Sequence, residues 1–442
     1  MRGRRGPNRS RGKDAPPYVH SLQTNSAGLP VHVLRMDHLH TASLGLFVRV
    51  GSRHEAPELN GVSHFLEHVF FRGCEAYPSS RLLNGALEDL GGSLDGFTAR
   101  DYTGYQTSVV PEAVEEALEV LGQMIRRPRM KGLDVERRVV REEMLEALDE
   151  RGRRIELDAL AHAQHFPGHS LGQPIEGTRR NLPRFDVDAL NEHRRRFYGA
   201  RNAVLVVAGP VHPARIQRRA EASFDIPAGR KRGDGPRPPS PSHAFRFVRH
   251  RGPQTRIRFS FRAFPERHRD FAALVWLRRW FDGGLSARLQ VELVDRLGLA
   301  YEVAAGIDSY SDAGVFDFEL TVANEKLPLA IRELGHLIDD VRRRHFGSEE
   351  VEAIKRRARS SFGGMLDAPQ DLAHWYGVGA LFGALEGPEE RLARVLALDG
   401  EDIRRTAKKV FRRERLSVTA VGGAAPGDVA RARRAVSNFD LP

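Results

Sequence analysis

The sequence predicts an α+β fold used twice: two homologous domains, each a largely antiparallel sheet packed with helices, together forming a clam-like unit. Three observations lead there. Strand and helix patterns are interspersed along the chain, a proline-rich stretch divides it near the middle, and spaced residues before that stretch recur after it. Residues 46–50 and 256–261 alternate apolar and polar side chains, the period of half-buried strands, whereas residues 111–125 and 187–197 carry apolar residues at helical spacing. Residues 229–243, GRKRGDGPRPPSPSH, hold almost no apolar side chain and so serve as a linker. The predicted organisation is a disordered basic tail over 1–16, a first domain over 17–228, that linker, and a second domain over 244–442.

The repeat is visible in spacing. Tyr198 is followed by a buried-strand pattern at 203–207, by Gly209 and by Pro213; Phe411 is followed by a strand pattern at 416–421, by Gly422 and by Pro426, with the same intervals. Arg81-Leu82 and Leu90-Gly91 are matched by Arg288-Leu289 and Leu297-Gly298. A duplicated unit explains both sets.

Composition narrows the function. With 442 residues, 40% hydrophobic and 29% charged, the chain resembles an average soluble globular protein, and no apolar run approaches the roughly 18 residues of a membrane span. The first sixteen residues lack the apolar core of a secretory signal, so the expected compartment is cytoplasmic. A net charge of +11 comes from arginines spread along the chain, as at 126–127, 194–196, 218–219 and 342–344, with no recognisable nucleic-acid module; no specific nucleic-acid partner is expected. The single cysteine, Cys74, reads as a small buried residue. It can form no internal disulfide and no multi-cysteine zinc site, so any metal must use histidine and carboxylate ligands.

His64-Phe65-Leu66-Glu67-His68 is the most informative segment. Residues four apart share one face of a helix, so two imidazoles there can reach one ion, and Glu67 stands close enough to accept a proton from a metal-bound water. Gly61-Val62-Ser63 supplies a helix start, with Ser63 able to cap it. A catalytic zinc needs a third ligand. Residues 134–150 read as a helix bearing Glu136, Glu142, Glu143, Glu146 and Glu150, and spacing does not choose among them. His162, His165 and His169 form a looser cluster interrupted by Pro167-Gly168.

GSRHEAPELNGVSHFLEHVFFRG, residues 51–73, closely resembles the signature of the pitrilysin, insulysin and mitochondrial processing peptidase family of inverted-zincin metallopeptidases, in a small bacterial-type two-domain form. Segments at 91–105, 136–144, 165–178, 197–211 and 283–303 resemble the same family in the expected order. The resemblance implies a zinc endopeptidase acting on peptides or unfolded segments, with one Zn2+ per chain. His64, His68 and Glu143 would be ligands, Glu67 the general base that activates the zinc-bound water, and Glu136 an outer support. It also implies that peptide adds as a strand near the site, with residues 103–109 taken as the pairing segment.

Two positions depart from the family pattern. Asp95 stands where the family commonly has Asn. Tyr301 matches a substrate-stabilising tyrosine, but its arginine partner position is Val294, with Arg296 poorly placed and Arg288 remote. A buried core tyrosine is the other reading of Tyr301. The substitution at 294 implies a homo- or heterodimer in which a homologous subunit supplies the Arg/Tyr pair; a non-catalytic scaffold subunit is the alternative. The second half carries Leu274-Val275-Trp276-Leu277-Arg278 where the first has its zinc motif.

Overall fold

Each half of the chain builds one sheet in the computed structural model, which describes residues 17–233, 235–241 and 244–442. The predicted tail over 1–16 lies outside the described residues, as do Asp234, Ser242 and His243 of the linker.

The first half contains β1 (Val19–Thr24), β2 (Pro30–Arg35), β3 (Ala42–Val48), α1 (Val62–Phe70), α2 (Ser80–Glu88), β4 (Leu94–Thr98), β5 (Thr103–Val109), α3 (Val114–Arg126), α4 (Leu133–Glu146), α5 (Leu157–His165), α6 (Val187–Phe197), β6 (Ala203–Gly209) and α7 (Pro213–Ser223). The second contains β7 (Phe245–Arg249), β8 (Gln254–Ala263), α8 (Phe271–Phe281), a π-helical segment Gln290–Arg296, β9 (Ala300–Ser309), β10 (Gly314–Ala323), α9 (Leu327–Arg343), α10 (Ser348–Leu366), α11 (Pro369–Phe382), α12 (Pro388–Ala397), α13 (Gly400–Val410), β11 (Leu416–Gly422) and α14 (Pro426–Ser437).

The strand orders are β1-β2-β6-β3-β5-β4 and β7-β11-β8-β10-β9. Without β1 they are the same order. Each sheet is antiparallel except for one parallel pair, β2 with β6 and β7 with β11. The repeated residues mark equivalent places: Gly209 and Gly422 end β6 and β11, and Pro213 and Pro426 start α7 and α14, where a missing N–H costs nothing.

Every residue of β3, β6 and β11 is buried, because both faces of each sheet are covered. In β3 and β6, Leu44, Leu46, Val48, Leu205 and Val207 point to the core shared with α1, α3, α6 and α7. Phe47, Val204, Val206 and Ala208 point the other way, onto Leu372, Ala373, Tyr376 and Leu381 of α11, a helix from the other half. The exchange is reciprocal. From the first half, α5 lies on the second sheet, where Leu157 and Leu160 meet Val421. Gln164 donates to the Val418 carbonyl (3.2 Å) and His165 Nδ1 lies 2.8 Å from Ser417 Oγ. The two halves are further joined by buried Arg53, which donates to Asp101 (3.0 Å), Asp312 (2.9 Å) and Ser311 Oγ (3.1 Å).

Candidate metal centre

The motif helix α1 is anchored at both its start and its inner face. Gly61 takes φ of 101° just before it, and a Cβ there would meet the Glu176 carbonyl oxygen at 2.5 Å, so only glycine fits. The expected cap, Ser63, lies inside the helix with its hydroxyl 3.0 Å from His193 Nε2. Glu55 does the capping instead. Its carboxylate accepts from Gly61 N–H (2.7 Å), Ser63 N–H (2.7 Å) and Asn60 Nδ2 (3.0 Å), satisfying donors that a helix start leaves open. Nothing in local spacing marked Glu55, since it reaches the helix across an intervening loop. Phe65, Leu66, Val69 and Phe70 enter the core, which turns His64, Glu67 and His68 toward α4 and β4.

On α4, Val140 and Met144 are buried and hold Glu136 and Glu143 against α1; Glu142 and Glu146 are exposed, and Glu150 lies beyond the helix end. Glu143 Oε1 is 3.5 Å from His64 Nε2, and Glu143 Oε2 is 3.7 Å from His68 Nε2. The donor atoms of all three fall within 4.8 Å of one another. A tetrahedral ion with bonds of about 2.0–2.1 Å sets its ligand atoms roughly 3.3 Å apart, so this donor set fits zinc with little movement. Glu136 Oε2 lies 3.3 Å from His68 Nδ1 and its Oε1 is 3.1 Å from Arg72 Nε, which fixes the ring with Nε2 toward Glu143. His64 Nδ1 is buried without a hydrogen-bond partner.

Burial opposes a proton on His64, but the hydrogen bond and charge of Glu143 outweigh it and hold its pKa above the ordinary value. The hydrogen bond from His64 lowers the Glu143 carboxyl in turn. Glu67 is buried, and Thr98 Oγ1 donates to its Oε2 at 2.7 Å. That contact places β4 beside the cluster.

Residues 103–109 do not form a sheet edge. They are β5, paired with β3 on one side and β4 on the other, so the free edge is β4, with Asp95 exposed on it. Tyr301 is 74% exposed at the start of β9, which excludes a core role; among the described residues no hydrogen bond or ring contact joins it to the histidine cluster. Val294 packs against the second core, and Arg288 and Arg296 both pair with Glu292 (3.3 and 2.6 Å). The three downstream histidines diverge: His162 Nε2 meets Tyr310 OH (2.8 Å), His165 meets Ser417, and His169 Nε2 meets the Pro236 carbonyl (2.9 Å). Asp158, His162 and Asp308 do converge, but Arg100 and Arg258 already neutralise Asp158. Cys74 is buried, and burial pushes its thiol pKa up.

Residues 31–179 match the family model described as insulinase, peptidase family M16, and residues 184–358 match the one described as the peptidase M16 inactive domain. The chain belongs to the M16 peptidase family. The second description suits a half whose counterpart of the zinc motif is Leu274 to Arg278. Among M16 relatives, an uncharacterized zinc protease of Bacillus subtilis, YmxG, is 29% identical over 73% of this chain and 78% of its own length. One from Rickettsia bellii is 27% identical over 87% of this chain and 93% of its own. A protease from Helicobacter pylori shares the fold with a TM-score of 0.81 at 20% identity, covering 91% of this chain and 99% of that one. A Pseudomonas fluorescens structure described as a peptidase M16 inactive domain gives 0.85 at 16% identity, covering 92% and 98%. Among the described residues, no helix is long and apolar enough to cross a membrane.

Proposed function

We propose that this M16 chain is a zinc endopeptidase acting on extended peptide segments, with His64, His68 and Glu143 holding one zinc ion and Glu67 serving as general base. The observation that carries the reading is the convergence of three zinc-type donors beside a buried carboxylate that is not one of them. Zinc held there would acidify a water molecule and polarise a peptide carbonyl. Glu67 would take the proton and pass it to the departing amine, with the Thr98 hydroxyl fixing Oε2 and leaving Oε1 free. Glu136 would keep His68 in the tautomer that presents Nε2.

Substrate would pair along the free edge of β4, whose backbone is unmatched on one side. Gly96 supports this. A Cβ at that position would come within 3.0 Å of Glu67 Oε1 and 2.6 Å of the Phe71 ring, so glycine keeps the space beside the base open. Only one zinc per chain is proposed, because α8 offers no ligand pair. Tyr301 would act with an arginine from a distinct homologous subunit, since every copy of this chain has Val294 packed away and Arg288 and Arg296 already ion-paired.

The test is hydrolysis of a quenched-fluorescent peptide library by the purified chain, alone and mixed with a homologous chain lacking the zinc motif. Zinc-dependent cleavage that appears or rises at least tenfold in the mixture is the expected result. Full activity of a monomer would remove the shared-site part of the proposal. No zinc-dependent cleavage under either condition would favour the scaffold.

A further inference from the structure

The outer side of α4 carries a basic groove that the metal centre does not use. It is lined by Arg137, Arg138 and Arg141 of the helix, Arg179 and Arg180 of the loop before α6, and Leu182 and Pro183. Arg137 is engaged: it donates to the carbonyls of Leu182 (3.3 Å) and Phe185 (2.9 Å) and to Asp134 (2.6 Å). The other four arginines are exposed and, among the described residues, have neither a carboxylate nor a hydrogen-bond partner. This distinguishes them from the arginine run at 342–344, which Asp339, Asp340 and Asp440 neutralise. Of the acids on the groove's side of α4, Asp134 is taken by Arg137, and exposed Glu142, one turn beyond Arg138, makes no ion pair with it among the described residues. Four unneutralised guanidiniums side by side repel one another, and an anionic occupant relieves that repulsion.

At about 100° per residue, the three helix arginines lie roughly 100–160° around α4 from Glu136 and Glu143. The groove and the metal cluster therefore sit on different sides of one helix, itself about 10–12 Å across. An extended chain advances about 3.3 Å per residue, so about four residues reach from one to the other.

We propose that this groove is an exosite for acidic stretches of the polypeptide substrate, binding Asp and Glu side chains about four or more residues from the bond that is cut. The proposal rests on the peptidase reading above. Guanidinium forks grip carboxylates through paired hydrogen bonds, and exposed Pro183 offers apolar contact to the intervening side chains. The lining includes no aromatic ring on which a nucleic-acid base would stack, which favours polypeptide over single-stranded nucleic acid.

The test uses the full chain with Glu67→Gln, so that binding is read without turnover. Fluorescence anisotropy would compare a labelled peptide rich in Asp and Glu with the same peptide carrying Asn and Gln. The acidic peptide should bind at least tenfold tighter, and the advantage should shrink with added salt. Arg138→Glu with Arg141→Glu, and separately Arg179→Glu with Arg180→Glu, should abolish it without shifting the melting temperature, since all four side chains are exposed. In the otherwise unaltered enzyme the same changes should raise KM for acidic substrates about tenfold and leave kcat and neutral substrates unchanged. Equal binding of both peptides, or discrimination that survives charge reversal, would overturn the exosite. Preference for inorganic polyphosphate or single-stranded DNA over the acidic peptide would overturn it in favour of a phosphate-polymer site. Absence of hydrolysis with peptide discrimination intact would overturn the peptidase reading while leaving an acidic-peptide groove.

Discussion

α1 and α8 hold the same place in the two halves, each following the central strand of its sheet, β3 or β8, yet they carry opposite chemistry. α1 turns His64, Glu67 and His68 toward α4 and β4 and depends on Glu55 to hold its first turn. α8 buries Leu274, Trp276 and Leu277 completely, and its Arg278 only reaches backbone carbonyls of Asp282 and Ala305 (3.4 and 3.5 Å). One fold therefore supports either a polar helix that carries the histidine and glutamate side chains of the cluster or an apolar one. The histidine and glutamate cluster is a feature added to a sheet-and-helix unit that closes without it.

The contrast extends to the exchanged helices. α11 meets the first sheet through Leu372, Ala373, Tyr376 and Leu381, while α5 meets the second largely through hydrogen bonds from Gln164, His162 and His165 and ion pairs of Asp158. The apolar contact is non-directional; the polar one fixes orientation at a higher desolvation cost.

Substitutions at matched places would break or sharpen this comparison. Glu67→Gln should lower peptide hydrolysis about 10²–10⁴-fold with zinc content unchanged, whereas Leu277→Gln, its counterpart, should leave zinc binding intact and impair folding. Leu274→Ala should cost about 2–5 kcal/mol in chemical denaturation with zinc stoichiometry preserved; His64→Ala should abolish zinc binding while changing the stability of the metal-free protein far less. Glu136→Gln should weaken zinc about 10–100-fold by competition with a chromophoric chelator, and equal affinity would show that Glu136 does not orient His68.

The comparison can also be probed through pH. Burial pushes His193, bonded to Ser63 of α1, down to about 3, and His32 down to about 4. The unfolded chain takes up these protons near pH 6.5, where the native protein does not, so stability falls as pH drops from about 6.5 toward those values. Amide protection factors in the first half should fall over that range, and His193→Gln should flatten the response.

Much of this was legible in the sequence, for reasons that are local. The apolar spacing at 187–197 coincides with α6, and the repeated glycine and proline positions mark the ends of β6 and β11 and the starts of α7 and α14. Strand patterns, however, do not state lateral neighbours, and so β5 was expected at the edge that β4 occupies. An amphipathic helix likewise does not say which sheet it will cover, which hid the exchange of α5 and α11. The spacing of α4 left five glutamates open. Only the packing of Val140 and Met144 shows which two face α1. Glu55 was missed because it caps α1 across a loop that no helix-start pattern includes.

The most direct measurement is zinc content and peptide hydrolysis determined on the same samples of wild type, His64→Ala and Glu67→Gln, each alone and mixed with a homologous chain lacking the zinc motif. The account predicts about one zinc per wild-type chain with chelator-sensitive cleavage, no zinc and no cleavage for His64→Ala, and full zinc without cleavage for Glu67→Gln. Cleavage that persists in Glu67→Gln, or zinc that persists in His64→Ala, would contradict it.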